Sequence, residues 1–173
     1  MTPRLSLIAA LALAPALGLA QPAAKLNDAQ IAHVAYTAGE IDVAAANQAL
    51  AKPKTPAVRD FAQTMARDHR AVNDQALALV KKLGVTPQAN STSAALTAQA
   101  KQKSDELAKL SGPAFDRAYV ANEVAYHRTV NGALASTLIP GAQNAELKAL
   151  LQTGLKLFQE HQAHAEHLAQ TQR

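Results

Sequence analysis

The chain has 173 residues, of which 49% are hydrophobic but only 3% aromatic, and its formal net charge is +4. It contains no cysteine, which excludes disulfides and thiolate metal ligands. The basic residues are scattered and their longest run is Lys81-Lys82, so we expect no nucleic-acid surface and only a weak attraction to anionic surfaces.

Residues 1–20 have the pattern of a secretory signal peptide. Arg4 precedes an apolar run from Leu5 to Leu19, and small residues lead to an expected cleavage site after Ala20. The run has about 15 residues, whereas a membrane span needs roughly 20, so cleavage is favoured over a membrane anchor. We therefore predict a mature domain, residues 21–173, that is periplasmic or secreted in a bacterium and has no integral membrane span.

Alanine-rich segments with apolar residues at steps of three and four predict helices throughout the mature chain. Asn27 and Gln30 form a capping-box pattern at the first helix, and Thr55 is expected to cap the second, which has Pro56 at its first position. Gly84 is placed to end that second helix. In chain order the predicted helices span about 28–51, 56–83, 94–110, 113–138 and 144–170.

The lengths of the connections predict how the helices are arranged. Short connections at 52–55 and 139–143 imply antiparallel neighbours, and the longer segment 85–112 can cross from one helical pair to the other. We therefore predict an all-α, ferritin-like four-helix bundle with a short extra helix in the crossover. An elongated three-helix coiled coil is the alternative, which the frequent proline and glycine breaks disfavour.

Polar residues interrupt the apolar stripes of the long helices. His69, His127 and His161 each occupy a stripe position on a different helix, and Glu123 lies one turn before His127. Glu40 and His69 lie nearly the same number of residues from the turn that joins their two helices, so antiparallel packing places them at the same level along the bundle. These five residues are the predicted metal site, and imidazole and carboxylate ligands without thiolate suit Zn, Cu, Ni or Fe.

The same residues allow a structural interpretation. Glu40, His69, Asp68 and His127 could instead form a buried hydrogen-bond network that fixes the register of the helices. Asp68 is adjacent to His69 and points about 100° away from it, towards the surface or a partner on another helix. No nucleophile–base pair, phosphate loop or hydrolytic motif occurs, so we predict no catalytic and no organic cofactor-binding residue.

The mature chain contains, in order, Ala38-Gly39-Glu40-Ile41, Phe61-Ala62-x-x-Met65-x-x-Asp68-His69, Gly112-Pro113-x-Phe115-Asp116-x-x-Tyr119, His127, and Leu147-Lys148 followed by His161. In this combination residues 28–171 resemble the bacterial family catalogued as domain of unknown function 4142. The resemblance implies an exported protein with a ferritin-like fold in the cell envelope, where members are often labelled as outer-membrane proteins. It implies no activity. Di-iron ferritins carry Glu-x-x-His pairs, and this chain has none.

We therefore predict an exported envelope bundle that binds a metal ion or a partner, such as an envelope protein or an anionic surface, with a role in stress response as one option. The alternatives are a metal-dependent redox enzyme of the ferritin-like class and a purely structural or partner-binding bundle. The absence of a catalytic motif favours a binding protein over an enzyme. The oligomeric state is not predicted.

Overall fold

The structure of the protein is a computed structural model that describes residues 25–52 and 55–171. Within these residues the regular secondary structure is entirely helical, which confirms the all-α class. The helices are α1 (Asp28–Leu50), α2 (Pro56–Leu83), α3 (Ser91–Ala108), α4 (Gly112–Ala133), the short α5 (Ile139–Gly141) and α6 (Ala145–Thr171), with a π-helical turn at Leu134–Leu138 between α4 and α5. The signal peptide predicted for residues 1–20 lies outside the described residues. In the described part of the chain, every helix is too short or too polar to cross a membrane.

Two of the helices begin with a reciprocal capping box. The Asn27 side chain accepts from Gln30 N at 2.9 Å, and Asn27 N donates to Gln30 Oε1 at 3.1 Å, which confirms the predicted start of α1. Asn90 and Ser93 make the same pair of bonds, each 3.1 Å long, at the start of α3. Because these bonds satisfy the first free N–H groups of the helix, α3 begins three residues earlier than predicted.

Two other helix ends differ from the prediction. Thr55 occupies the N-cap position of α2, but its side chain makes no capping hydrogen bond; its own N–H donates to Asp116 Oδ2 at 2.9 Å. The fourth helix, expected to run to residue 138, changes to the π-helical turn after Ala133. Pro140 follows this turn, and since proline lacks an N–H and crowds the carbonyl four residues back, a wider turn accommodates it.

The helices pack as two pairs. α1 packs along α2, α4 packs along α6, and α2 also contacts α6, so the four long helices enclose one core. The crossover carries α3, which packs against α1 and buries only Ser93 and Leu107. This arrangement matches the predicted helical pairs with an extra helix between them.

The core consists of two apolar clusters separated by a polar layer. One cluster surrounds Phe61 and Tyr119, and the other surrounds Ile31 and Leu151. Between them, along the four long helices, lie the buried polar residues Asp42, His69, Glu123, His127 and His161. We call these five residues the polar layer. The apolar clusters on either side exclude water from it, which strengthens every electrostatic interaction inside it.

Candidate metal centre

The structure brings four of the five predicted site residues together in the polar layer. These four are His69, His127, His161 and Glu123. Glu40 does not join them: it is exposed on α1, and its Oε1 accepts a hydrogen bond from Asn73 Nδ2 at 2.7 Å. The predicted placement of Glu40 in the cluster is therefore wrong.

Asp42 supplies the carboxylate that Glu40 was expected to supply. Two residues along an α-helix differ in direction by about 200°, so Asp42 faces the core when Glu40 faces solvent. The Asp42 side chain is only 1% exposed, and its Oδ2 lies 3.1 Å from His69 Nε2 and 3.4 Å from His127 Nε2. The spacing of the buried residues Ala38, Asp42 and Ala46 could have revealed it, but alanine gives a weak apolar signal.

Two of the histidines have a hydrogen-bond partner on only one ring nitrogen. His127 Nδ1 lies 3.0 Å from the Glu123 backbone carbonyl oxygen, and His161 Nε2 lies 3.1 Å from Asp68 Oδ2. Since both partners are acceptors, these nitrogens carry the proton, which leaves the lone pair on His127 Nε2 and on His161 Nδ1. Within the described residues these two lone-pair nitrogens are buried and have no hydrogen-bond partner.

Asp68 contacts the layer from outside. Its side chain is 17% exposed, and its second oxygen accepts a hydrogen bond from Arg67 Nε at 2.7 Å. The Arg67 guanidinium lowers the pKa of the Asp68 carboxyl, and the contact with His161 lowers it further. A carboxylate that holds the second nitrogen of a histidine is the usual outer support of a metal-ligating imidazole. As expected, Asp68 pairs with a residue of another helix, His161 on α6, and its side chain also reaches the surface.

His69 lies in the middle of the layer. Its ring stacks on Phe158, with ring centroids 4.5 Å apart and planes 6° from parallel. Neither of its ring nitrogens makes a directed hydrogen bond to another described residue, although Asp42 is close. Burial lowers the pKa of His69 from 6.5 to about 4, so the imidazole is neutral at pH 7.

Glu123 is the second carboxyl group of the layer and is fully buried. Its Oε2 lies 3.7 Å from His127 Nδ1, and its Oε1 lies 3.5 Å from Asn122 Nδ2. Burial raises the pKa of Glu123 well above its ordinary value, and the neighbouring Asp42 carboxylate raises it further. A proton or a cation is therefore required to bring these two carboxyl groups together.

The side chains of the layer are close enough to share a cation. The three histidines offer one nitrogen each within 4.8 Å of one another, and Asp42, Glu123 and His127 form a second such group. Tetrahedral ligands about 2.1 Å from a zinc ion lie about 3.4 Å apart, close to the 3.1 and 3.4 Å that separate Asp42 Oδ2 from two of the histidines. The ligand chemistry and the spacing both fit a divalent transition metal.

A family model described as Domain of unknown function (DUF4142) matches residues 14–168, a range that includes the whole polar layer. Comparisons with the curated proteins and with the solved structures found no match to this chain.

Proposed function

The chain belongs to the domain of unknown function 4142 family, whose description gives no activity, and from the geometry of the polar layer we propose that it is an exported metal-binding bundle. The proposed ligands are Asp42, His69, His127 and His161, one from each long helix. The proposed ion is a divalent transition metal of the group Zn, Cu, Ni and Fe, since the ligands are imidazole and carboxylate.

The observation that carries this proposal is the set of unpartnered polar atoms. Within the described residues, both oxygens of Asp42, both ring nitrogens of His69, His127 Nε2 and His161 Nδ1 are buried without a hydrogen bond. More than about 90% of buried polar groups in proteins are paired, and each unpaired one costs about 1–3 kcal/mol. The three histidines offer nitrogens within 4.8 Å of one another, and Asp42 Oδ2 lies 3.1 Å from His69 Nε2, so a metal ion bound among them would satisfy several of these atoms at once.

The same ligand set favours binding over catalysis. Four protein ligands fill the tetrahedral shell of a zinc-like ion, as in structural sites, whereas catalytic sites keep one position open for water or substrate. All four ligands are at least 95% buried, which removes the ion from solvent. We therefore propose a role in holding the metal, or in stabilising the fold with it, rather than a metal-dependent redox reaction.

A second candidate is the purely structural network. The contacts of Asp42 with His69 and of His161 with Asp68, both 3.1 Å long, are also compatible with proton sharing in place of a metal. In that case the layer would fix the register of the four helices, since a shifted helix would leave its polar group unpaired.

The cellular location is part of the proposal. The basic residue, apolar run and small residues within 1–20 support export across the bacterial inner membrane, and the mature bundle would then act in the envelope. The order of two helical pairs joined by a crossover helix supports a ferritin-like bundle.

The test compares two carboxylate substitutions on the same helix. We expect untagged protein to bind one Zn²⁺ per chain, and Asp42→Asn to weaken that binding at least tenfold because it removes a charged ligand. The matched control Glu40→Gln, on the exposed side of α1, is expected to bind Zn²⁺ as the wild type does. Isothermal titration of metal-free protein measures both affinities.

Thermal unfolding separates the two candidates. A ligand that binds only the folded state stabilises it, by about 2.7 kcal/mol when its concentration is 100 times the Kd. We expect a chelator to lower the melting temperature of the wild type more than that of Asp42→Asn, because the variant binds the metal more weakly. A melting temperature that is the same with chelator and with excess Zn²⁺ would exclude the metal site and leave the hydrogen-bond network.

A further inference from the structure

The polar layer holds two acidic side chains and three histidines, but no lysine and no arginine. Asp42 and Glu123 are 1% and 0% exposed, and the buried polar residues of the described chain include no lysine and no arginine. Asp68, the other nearby acidic residue, already has the Arg67 guanidinium on its outer oxygen. A histidine that binds a metal ion is neutral, so with both buried carboxyl groups ionised the metal-binding form of the layer contributes a formal charge of −2.

We propose that Glu123 makes the site selective for one divalent cation. In this role the Glu123 carboxylate contributes a negative charge to the layer but is not one of the metal ligands. This inference rests on the proposed metal-binding function. One M²⁺ ion with both carboxylates gives a net charge of zero, whereas a monovalent ion leaves −1, a trivalent ion leaves +1 and a second divalent ion leaves +2. An unbalanced charge is costly in a dry interior, so the neutral combination is the one the layer favours.

The positions of the two carboxyl groups indicate that Asp42 is a metal ligand and that Glu123 is not. Asp42 Oδ2 lies 3.1 and 3.4 Å from two histidine nitrogens, the separation expected of atoms that bind one ion. Glu123 Oε2 is 3.7 Å from His127 Nδ1, the nitrogen that already donates to a backbone carbonyl. Glu123 thus lies beside the ligands, where it acts on the ion mainly through its charge.

The neighbours of Glu123 add no positive charge. Its Oε1 lies 3.5 Å from the Asn122 amide nitrogen, the Asp42 carboxyl group is nearby, and apolar clusters lie on both sides of the layer. Glu123→Gln keeps the size of the side chain and its hydrogen-bonding capacity while it removes the negative charge. The substitution therefore isolates the contribution of charge to ion selectivity.

The experiment uses copper, which binds imidazole ligands as Cu²⁺ and as Cu⁺, so that one reduction potential reports the preference between the two charges. We expect Glu123→Gln to favour Cu⁺ over Cu²⁺ at least tenfold relative to wild type, a rise of 59 mV or more in the potential of this one-electron couple. Glu40→Gln, the same chemical change on the exposed side of α1, is expected to leave the potential unchanged. Zn²⁺ titration of the same variants should show at least a tenfold loss of affinity for Glu123→Gln alone.

The outcomes distinguish this inference from the proposed function. If wild-type protein binds neither Zn²⁺ nor Cu²⁺ stoichiometrically, the metal-binding function fails and the inference fails with it. If one Cu²⁺ binds but Glu123→Gln has the wild-type potential and Zn²⁺ affinity, only the inference fails. Binding of two divalent ions per chain would also overturn it, because the neutral combination would then not be the favoured one.

Discussion

At the scale of single residues, the chemistry of the layer depends on which nitrogen of each imidazole is already engaged. The Glu123 carbonyl and the Asp68 carboxylate each occupy one nitrogen of His127 and His161, so the other nitrogen keeps its lone pair. Phe158 fixes the plane of the His69 ring by stacking. The three rings are thus held by groups outside the proposed ligand set, as preorganised metal sites require.

The low pKa of His69 makes the stability of the metal-free protein depend on pH. Because the pKa is about 4 in the folded state and 6.5 ordinarily, the unfolded chain takes up a proton below pH 6.5 that the folded chain does not. This contribution to stability is present above pH 6.5 and is lost as the pH falls towards 4. We expect His69 to account for about 2 kcal/mol of stability lost between pH 6.5 and pH 5.

Urea unfolding in the presence of chelator measures this loss. His69→Gln should unfold with a smaller difference between pH 7 and pH 5 than the wild type, while His167→Gln, an exposed residue of α6, should behave as wild type. The lowered pKa of His161 likewise reduces stability as the pH falls. The raised pKa of Glu123 has the opposite effect, because it reduces stability as the pH rises above the ordinary pKa of a glutamate. Equal pH dependence in wild type and His69→Gln would contradict the buried neutral imidazole.

At the scale of helices, α1 and α2 are in close contact where Gly39 faces Asn73. A Cβ atom added to Gly39 would lie 2.1 Å from Asn73 Oδ1 and 2.8 Å from Asn73 Cγ, so the whole carboxamide would have to move. Asn73 is only 4% exposed and is held by Glu40. Glycine at this position therefore permits the close contact of the two helices.

We expect Gly39→Ala to lower the free energy of unfolding by about 1–3 kcal/mol, because the steric conflict outweighs the better helix propensity of alanine. Gly132→Ala is the matched control, since a Cβ atom there meets no atom within 4 Å and the site is exposed on α4. That control should raise stability by about 0.5–1 kcal/mol. Chemical denaturation compares both with the wild type, and a stabilising Gly39→Ala would show that the helices are not in close contact there.

The crossover helix α3 contributes less to the core than any of the four long helices. α3 is attached to the end of α1 by polar bonds, from Gln48 Nε2 to Ser104 O at 2.9 Å and from Lys52 Nζ to Ala108 O at 2.9 Å. An apolar cleft of about 440 Å³ remains between α1, α3 and α4. With few buried apolar contacts, α3 should open at a lower free energy than the four long helices.

At the scale of the whole molecule, the polar layer joins all four long helices between two apolar clusters. An ion bound there would contact every helix of the core, so its binding energy would add to the stability of the entire fold. The apolar clusters in turn keep water from the layer and make the charge balance of the site decisive.

Export is a prediction for the full chain that can be tested directly. We expect the intact mass of protein recovered from the bacterial envelope to correspond to residues 21–173, because the apolar run before Ala20 is too short to anchor the chain. Mass spectrometry of periplasmic and membrane fractions provides the measurement. A full-length chain in the membrane fraction would contradict cleavage.

The sequence by itself determined the helices, because their signals are local. Asn27 and Gln30 form a box within one turn, and Gly84 ends α2 with a positive φ of 63° that glycine adopts without strain. Stripe periodicity also placed His69, His127 and His161 on inward faces, since a histidine among large apolar neighbours stands out. Whether these residues bind metal stays a prediction.

Only the tertiary structure decided which carboxylate meets the histidines. α1 is so rich in alanine that its inward and outward faces differ little in hydrophobicity, and depth counted from the turn cannot tell Glu40 from Asp42. The rotation of α1 about its axis depends on its packing against the other helices, which includes the close contact of Gly39 with Asn73, a residue 34 positions away in the sequence. With this packing Asp42 faces the core and Glu40 faces away from it, because residues two apart on a helix point in nearly opposite directions.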